Sequence, residues 1–318
     1  RTPDRERIIG RASPTCGKVR PARSVVRLDA PVSAGTDKLE RCSLRRVVEF
    51  GSGVGQLREG FGSDGFVSPV RVVSEVEARR HRRALEDAEA EVGPLHYQYK
   101  MHTVMTSPLE LATHPAMLDV VEELLGPDIL LYNACYIVKE PGTSAHVAWH
   151  QDLTYWGFDS DGQVSAWLAL SPATAESGAM MMLPGSHTNG RLDHKVGTDG
   201  SNVLDNDQYV AGVDETDVVL CPLRPGEASF HHGWTLHASR PNASGDRRIG
   251  LNIQYLHPSV RQTLHDLDTA MLVRGEDAYG NFGTDVPATG NLEPWAMEQR
   301  AKREALVKGT YVSALEAT

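Results

Sequence analysis

The stretch DILLYNACYIV, residues 128–138, divides the chain into two kinds of sequence. Ahead of it, Pro115 opens a segment in which Met117, Val120, Val121, Leu124 and Leu125 recur at helical steps, ending at Gly126-Pro127. Further upstream, Ser74 stands three residues before Glu77 as a capping box, and SEVEARRHRRALEDAEAEV reads as a polar, exposed helix. From residue 128 onward the spacing is that of strands. VSAWLALS, AMMMLP, DVVLCPL, EASFHH and RIGLNIQYL are short apolar or alternating runs, separated by EPGT, ESG, PGS, RPGE and NASGD turns. The expectation is a mainly β fold, closed as a jelly roll or barrel with flanking α-helices. No internal repeat or low-complexity tract interrupts it.

Composition narrows the classes. With 318 residues, 40% of them hydrophobic, the chain has ample material for a buried core. Its four cysteines (Cys16, Cys42, Cys135, Cys221) lie far apart with no C-x-x-C pair, which argues against a disulfide-stapled secreted scaffold and a zinc knuckle. The simplest compartment on that usage is a reducing cytoplasm. No apolar run is long enough to span a membrane, and no apolar signal segment opens the sequence. Residues 1–50 carry 12 Lys and Arg against 6 Asp and Glu, whereas the remainder carries 20 against 36. Residues 1–55 therefore read as a flexible basic extension, rich in Arg, Pro, Ser and Gly, ahead of a domain over residues 56–318. A nucleic-acid-binding arm is disfavoured because no aromatic is interleaved with the basic residues, and the acidic body opposes a polyanionic partner.

The chemistry concentrates in HVAWHQDLTYWGF, residues 146–158, which gathers two histidines, an aspartate, two tryptophans and a tyrosine. Alone, the pair His150 and Asp152 reads equally as a hydrogen-bonded His and Asp at a strand end. A second stretch, HHGWTLHASRPNASGDRRIGLNIQY, adds His237 at the end of an expected strand and Arg248 within the next. Two imidazoles and one carboxylate on one face of a metal leave the opposite face open, the arrangement of non-haem Fe(II) oxygenases. A buried arginine nearby would want a carboxylate partner. His146 shares a strand face with His150 by even spacing and competes as a ligand. HDLD, residues 265–268, has no distal partner and reads as surface. The three methionines at 180–182 read as strand core, and His187 as fixing a turn.

In order and separation, WHQDLTYW, LPGSH and LHASRPNASGDRR resemble the phytanoyl-CoA dioxygenase family of Fe(II)- and 2-oxoglutarate-dependent oxygenases, over about residues 59 to 285. The resemblance implies a double-stranded β-helix, the jelly-roll or cupin-like core, with iron held by His150, Asp152 and His237. It further implies that Arg248 holds the distal carboxylate of 2-oxoglutarate, helped by Ser239. Gln151 and Trp167 would line the cosubstrate pocket, and Asn133 and Lys100 fall near positions that contact cosubstrate in relatives. The implied reaction uses O2, releases succinate and CO2, and hydroxylates an unactivated C–H bond of a small molecule. In halogenating relatives the carboxylate ligand is replaced by a small residue; Asp152 is present here, which favours hydroxylation.

Tyr155, Trp156, Trp234 and His232 are the candidates for substrate contact, with His232 read also as support behind the metal ligands. Trp149 falls in the first of these stretches, and Trp167 lies between the two. Such rings in an acidic body suit a small cationic or zwitterionic substrate through cation–π contact, against the plainer reading that they are core. Small amines, phosphonates and natural-product intermediates are the substrate classes the resemblance offers; neither nucleic acid nor membrane is expected as partner, and a homo-oligomer stays open. Two other readings compete: a non-catalytic ligand- or metal-binding jelly-roll protein, and a zinc hydrolase built on the same three ligands.

Overall fold

Strand Arg248–Leu256 shows how alternation builds the molecule. Ile249, Leu251, Ile253 and Tyr255 enter the main hydrophobic core, while Arg248, Asn252 and Gln254 line a cavity on the opposite face. The computed structural model describes residues 55–316 apart from 199 and 205–206, with a two-residue ladder upstream, Val25–Val26 antiparallel to Val47–Val48. The expected N-terminal extension otherwise lies outside the described residues.

The fold is mostly β, with a jelly-roll core. The larger sheet runs in the order Gly283–Thr284, Thr269–Arg274, Ile129–Lys139, Arg248–Leu256, Gln163–Ala169, Glu227–His232 and Phe66–Arg71. The smaller runs Val219–Cys221, Met180–Met182, His237–Ser239 and Val147–His150. Every pairing in these sheets is antiparallel except the short Gly283–Thr284 edge. The outer face of the larger sheet packs on helices Glu75–Val92, Thr106–Ala112 and Pro115–Leu125, whose Leu85, Leu111, Met117 and Val121 join Phe230, Leu251 and Leu168. Its inner face meets the smaller sheet. Among Met180, Met181 and Met182, the first and third face inward with Trp167 and Phe66, while Met181 packs outside with Ala238 and Val218.

The expected capping box is present, with Ser74 Oγ accepting from Glu77 N at 3.1 Å. Its helix is not the exposed element expected, because Ala78, His81, Leu85 and Ala88 form a buried stripe beneath the arginines and glutamates. HDLD is likewise not wholly surface: buried Asp268 accepts from Tyr132 Oη at 2.8 Å and Gln262 Nε2 at 3.0 Å. Among the described residues no helix is long and apolar enough to cross a membrane.

A buried ionic knot ties the chain's later segments to this core. The Lys100 ammonium donates to the carbonyls of Tyr132 and Thr269 and pairs with Asp285 at 3.0 Å. Thr269 Oγ1 donates to the other Asp285 oxygen at 2.6 Å, and His102 and Arg303 approach at 3.4 and 3.5 Å. Burial works against the Asp285 carboxylate, yet Lys100 and then His102 hold its pKa far below the usual range. That contribution to stability is present above the unfolded carboxylate pKa of about 4 and is lost as pH falls below it. Asp285→Asn leaves the Lys100 charge buried without a counter-charge, and denaturant unfolding is expected to show a loss of about 3–5 kcal/mol. Adding Lys100→Met should recover much of that loss, since the orphaned charge goes with it.

Candidate active site

His150 ends one strand of the smaller sheet and His237 begins its neighbour, and antiparallel register sets them directly opposite one another. Asp152 follows in the short turn Asp152–Tyr155. Its Oδ1 lies 3.3 Å from His150 Nε2 and 3.6 Å from His237 Nε2, and one donor atom from each residue falls within 4.8 Å of the others. The far ring nitrogens are tied to backbone: His150 Nδ1 to the carbonyls of Ala148 (2.9 Å) and His237 (3.1 Å), and His237 Nδ1 to that of Thr235 (3.0 Å). A carbonyl only accepts, so each Nδ1 carries the proton and each Nε2 turns a lone pair inward.

Asp152 is held by its other oxygen. Ser165 Oγ donates to Oδ2 at 2.5 Å, itself accepting from Gln163 Nε2 at 2.7 Å, and His231 Nε2 lies 3.2 Å from the same oxygen. Oδ1 is thereby left toward the imidazoles. Burial would raise the Asp152 pKa, but His237, His150 and His231 bring it well below the ordinary range. Burial first, then His150 and His231, push the His237 pKa well down. Anionic carboxylate and neutral imidazole are the forms that bind a divalent ion.

Across the same cavity lies Arg248, 1% exposed. Its guanidinium rests 4.3 Å from the Trp167 ring, and its Nε has no hydrogen-bond partner. Among the described residues no carboxylate forms an ion pair with it, and burial alone lowers its pKa to about 9. Gly250 makes the stack fit: a Cβ there would stand 2.0 Å from Trp167 Cζ2. A guanidinium desolvated against a ring, with no counter-charge, is a socket for an anion.

The sequence matches the family profile described as phytanoyl-CoA dioxygenase (PhyH) over residues 61–250. The chain belongs to the phytanoyl-CoA dioxygenase family. It is 32% identical over 141 residues to a probable alpha-ketoglutarate-dependent hypophosphite dioxygenase of Stutzerimonas stutzeri, covering 44% of this chain and 49% of that one. It is 29% identical over 147 residues to the 1-deoxypentalenic acid 11-beta-hydroxylase of Streptomyces arenae, covering 43% and 51%. The chain thus spans about half the length of the curated relatives it matches. Among solved structures, the non-heme monooxygenase ThoJ in its apo form superposes with a TM-score of 0.74 at 29% identity, over 82% of this chain and 100% of that one.

Against this family's expected site, the structure places Gln151, Trp167, Asn133, Ser239 and Trp156 around the cavity with the three ligand candidates and Arg248. Gln151 spends its amide on backbone: Nε2 donates to Gly190 and Trp234 carbonyls at 2.7 and 2.8 Å, and Oε1 accepts from Leu192 N at 2.7 Å. It pins the 190–192 loop. Lys100 is a correction, because its ammonium is consumed in the Asp285 knot and only its backbone N reaches Asn133, at 2.7 Å. His232 and Trp234 do not line the cavity. Strand alternation turns His232 toward Phe61, His187 and Asp161, and brings the unselected His231 onto Asp152 instead. His146 bonds Ser201 Oγ at 3.1 Å and is not among the clustered donors. The Tyr155 side chain lies outside the described residues. Tyr97, Tyr99, Asn252 and Gln254 also line the cavity; the last two were readable as Arg248's partners at even spacing along one strand.

The geometry makes metal affinity testable. Titration with Mn(II) is expected to show affinity lost by more than about a hundredfold in His150→Ala, Asp152→Ala and His237→Ala, and reduced about 10–100-fold in Ser165→Ala, which only orients a ligand. Parent affinity in Ser165→Ala would contradict the role given to that hydrogen bond.

Proposed function

We propose that this protein is an Fe(II)- and 2-oxoglutarate-dependent dioxygenase that hydroxylates an unactivated C–H bond of a small molecule, with release of succinate and CO2. The observation that carries the reading is one cavity holding both a three-donor cluster and a buried guanidinium with no carboxylate of its own. A metal alone would account for the first, and a dicarboxylate cosubstrate accounts for both. When bound, iron(II) and 2-oxoglutarate would supply the oxygen-activating chemistry, by which one dioxygen oxidises both the keto acid, with its decarboxylation, and the substrate.

The chain's own residues do the positioning. His150, Asp152 and His237 would hold the ion with three protein donors, leaving room for a keto acid and dioxygen. The guanidinium of Arg248 would clamp the distal carboxylate with two parallel donors, deciding which end of the keto acid faces the metal. Trp167 keeps that fork from rotating and excludes water from one of its faces. Tyr97, Tyr99 and Trp156 bring rings to the rest of the wall, Asn252 and Gln254 amides, and Ile137, Val147 and Leu204 aliphatic groups. With Asp152 committed to the metal, no other carboxylate lines the cavity among the described residues, so a substrate cation would meet rings and amide oxygens but no counter-charge. The relatives' names, which carry hypophosphite in one case and 1-deoxypentalenic acid in the other, support a small-molecule substrate.

Adding iron(II) and 2-oxoglutarate without oxygen is expected to give a visible charge-transfer band, and admitting oxygen to release succinate. Arg248→Met should raise the 2-oxoglutarate concentration needed by about a hundredfold, the loss expected when one side of a buried charge pair is removed. Turnover with zinc and no oxygen would favour a hydrolase, and binding without succinate release a non-catalytic protein; either overturns the reading.

A further inference from the structure

Arg248 is not the only buried basic group behind the cavity. Lys139 ends the neighbouring strand, sits opposite Arg248 in register, and is fully buried. Directly opposed residues of an antiparallel pair project to the same side of the sheet. The Lys139 amine has three oxygens around it: Ser239 Oγ at 2.6 Å, Arg240 O at 2.7 Å and Ser239 O at 3.1 Å. Among the described residues no carboxylate pairs with it. The nearby acids are engaged elsewhere, Glu89 and Glu140 each 2.8 Å from Arg247, and Asp246 is bound by Arg82. The remaining charged or titratable groups that face it are Arg248 on the adjacent strand and His96, whose pKa burial lowers.

Counting protons on this cluster gives two states. A neutral amine has two N–H groups for the two carbonyls and a lone pair that accepts the Ser239 hydroxyl proton. An ammonium uses all three N–H groups, one of them on Ser239 Oγ, so the serine's own proton must point elsewhere. Ser239 and Arg248 both line the cavity, so elsewhere is toward the place assigned to the distal carboxylate. We propose that Lys139 is a positioning residue of the cosubstrate site, taking up a proton as a dicarboxylate binds and so turning the Ser239 hydroxyl to donate to the distal carboxylate beside Arg248. The proton comes from solvent and no covalent bond changes. Burial, and then Arg248, lower the Lys139 pKa to about 6 when the cavity holds no anion, so the amine is largely neutral at neutral pH. An arriving carboxylate reverses that balance by placing a negative charge next to both basic groups.

The inference rests on the proposed assignment of Arg248 to the cosubstrate, and calorimetry separates the two. 2-Oxoglutarate is titrated into the full chain holding Mn(II), at neutral pH, in buffers of different ionisation enthalpy. The parent is expected to take up close to one proton per cosubstrate bound, with affinity falling as pH rises above about 6, since the proton must then be drawn from solvent. Lys139→Met, which keeps the length of the stem, should bind about tenfold more weakly, the scale of one charge-assisted hydrogen bond, with that uptake and that pH dependence gone. No uptake in the parent, or the same uptake in Lys139→Met, overturns the proposal; the first result needs no variant to fold. Arg248→Met binding as tightly as the parent would overturn the cosubstrate assignment and the Lys139 role with it.

Discussion

The register between strands Val147–His150 and His237–Ser239 is the constraint from which the site follows. Side chains alternate with period two, so a one-residue slip would carry His237 to the outer face, where Ala238 packs with Met181 and Val218. Both sides of the His237 strand enforce the register. Met182 pairs with it from one neighbour and His150 from the other, while the apolar Ala238 belongs outside. The irregularity between His237 and Ser239 alters pairing only after His237 is placed. Each imidazole is then fixed in rotation by a backbone carbonyl rather than by a flexible side chain.

The second constraint is electrostatic. Burying a guanidinium without a carboxylate costs stability, and the structure offsets part of that cost by laying it on Trp167. The ring can lie there because position 250 lacks a side chain. Arg248, Gly250 and Trp167 therefore act as one device spread over two adjacent strands, and the larger sheet's register, which sets Trp167 beside Asn252 and Ala169 beside Gly250, assembles it. The helices on the far side matter indirectly: they cover Ile249, Leu251 and Ile253, so the strand has no alternative face to present.

Much of this was legible in the chain. Short apolar runs between glycine and proline turns announced the β core, and His150, Asp152, His237 and Arg248 stood out by residue type and order. What failed did so for physical reasons. The Glu75–Val92 helix reads as polar because its buried stripe is built largely from alanine and a histidine, with Leu85 as its one large apolar residue. Two adjacent histidines in EASFHH hid a parity choice, although Ala228 and Phe230 on the core face already imply that His231 faces the cavity. Lys100 could not be read at all, because its partner Asp285 lies 185 residues away and only the folded chain brings them together.

The parts of the cavity differ in how they are supported, and that difference bears on substrate range. Asp152 apart, the residues given to metal and cosubstrate sit on strands: His150, His237, Ser239, Trp167 and Arg248. Tyr97, Tyr99, Val203 and Leu204, by contrast, belong to connections outside the strands. Strand positions are locked by register on both sides, so a change there disturbs neighbours on two strands, whereas a connection can change its side chains with fewer consequences for the sheet. On the assignment proposed above, the groups for metal and cosubstrate thus sit in the part of the fold that resists change, and part of the remaining cavity wall in the part that tolerates it.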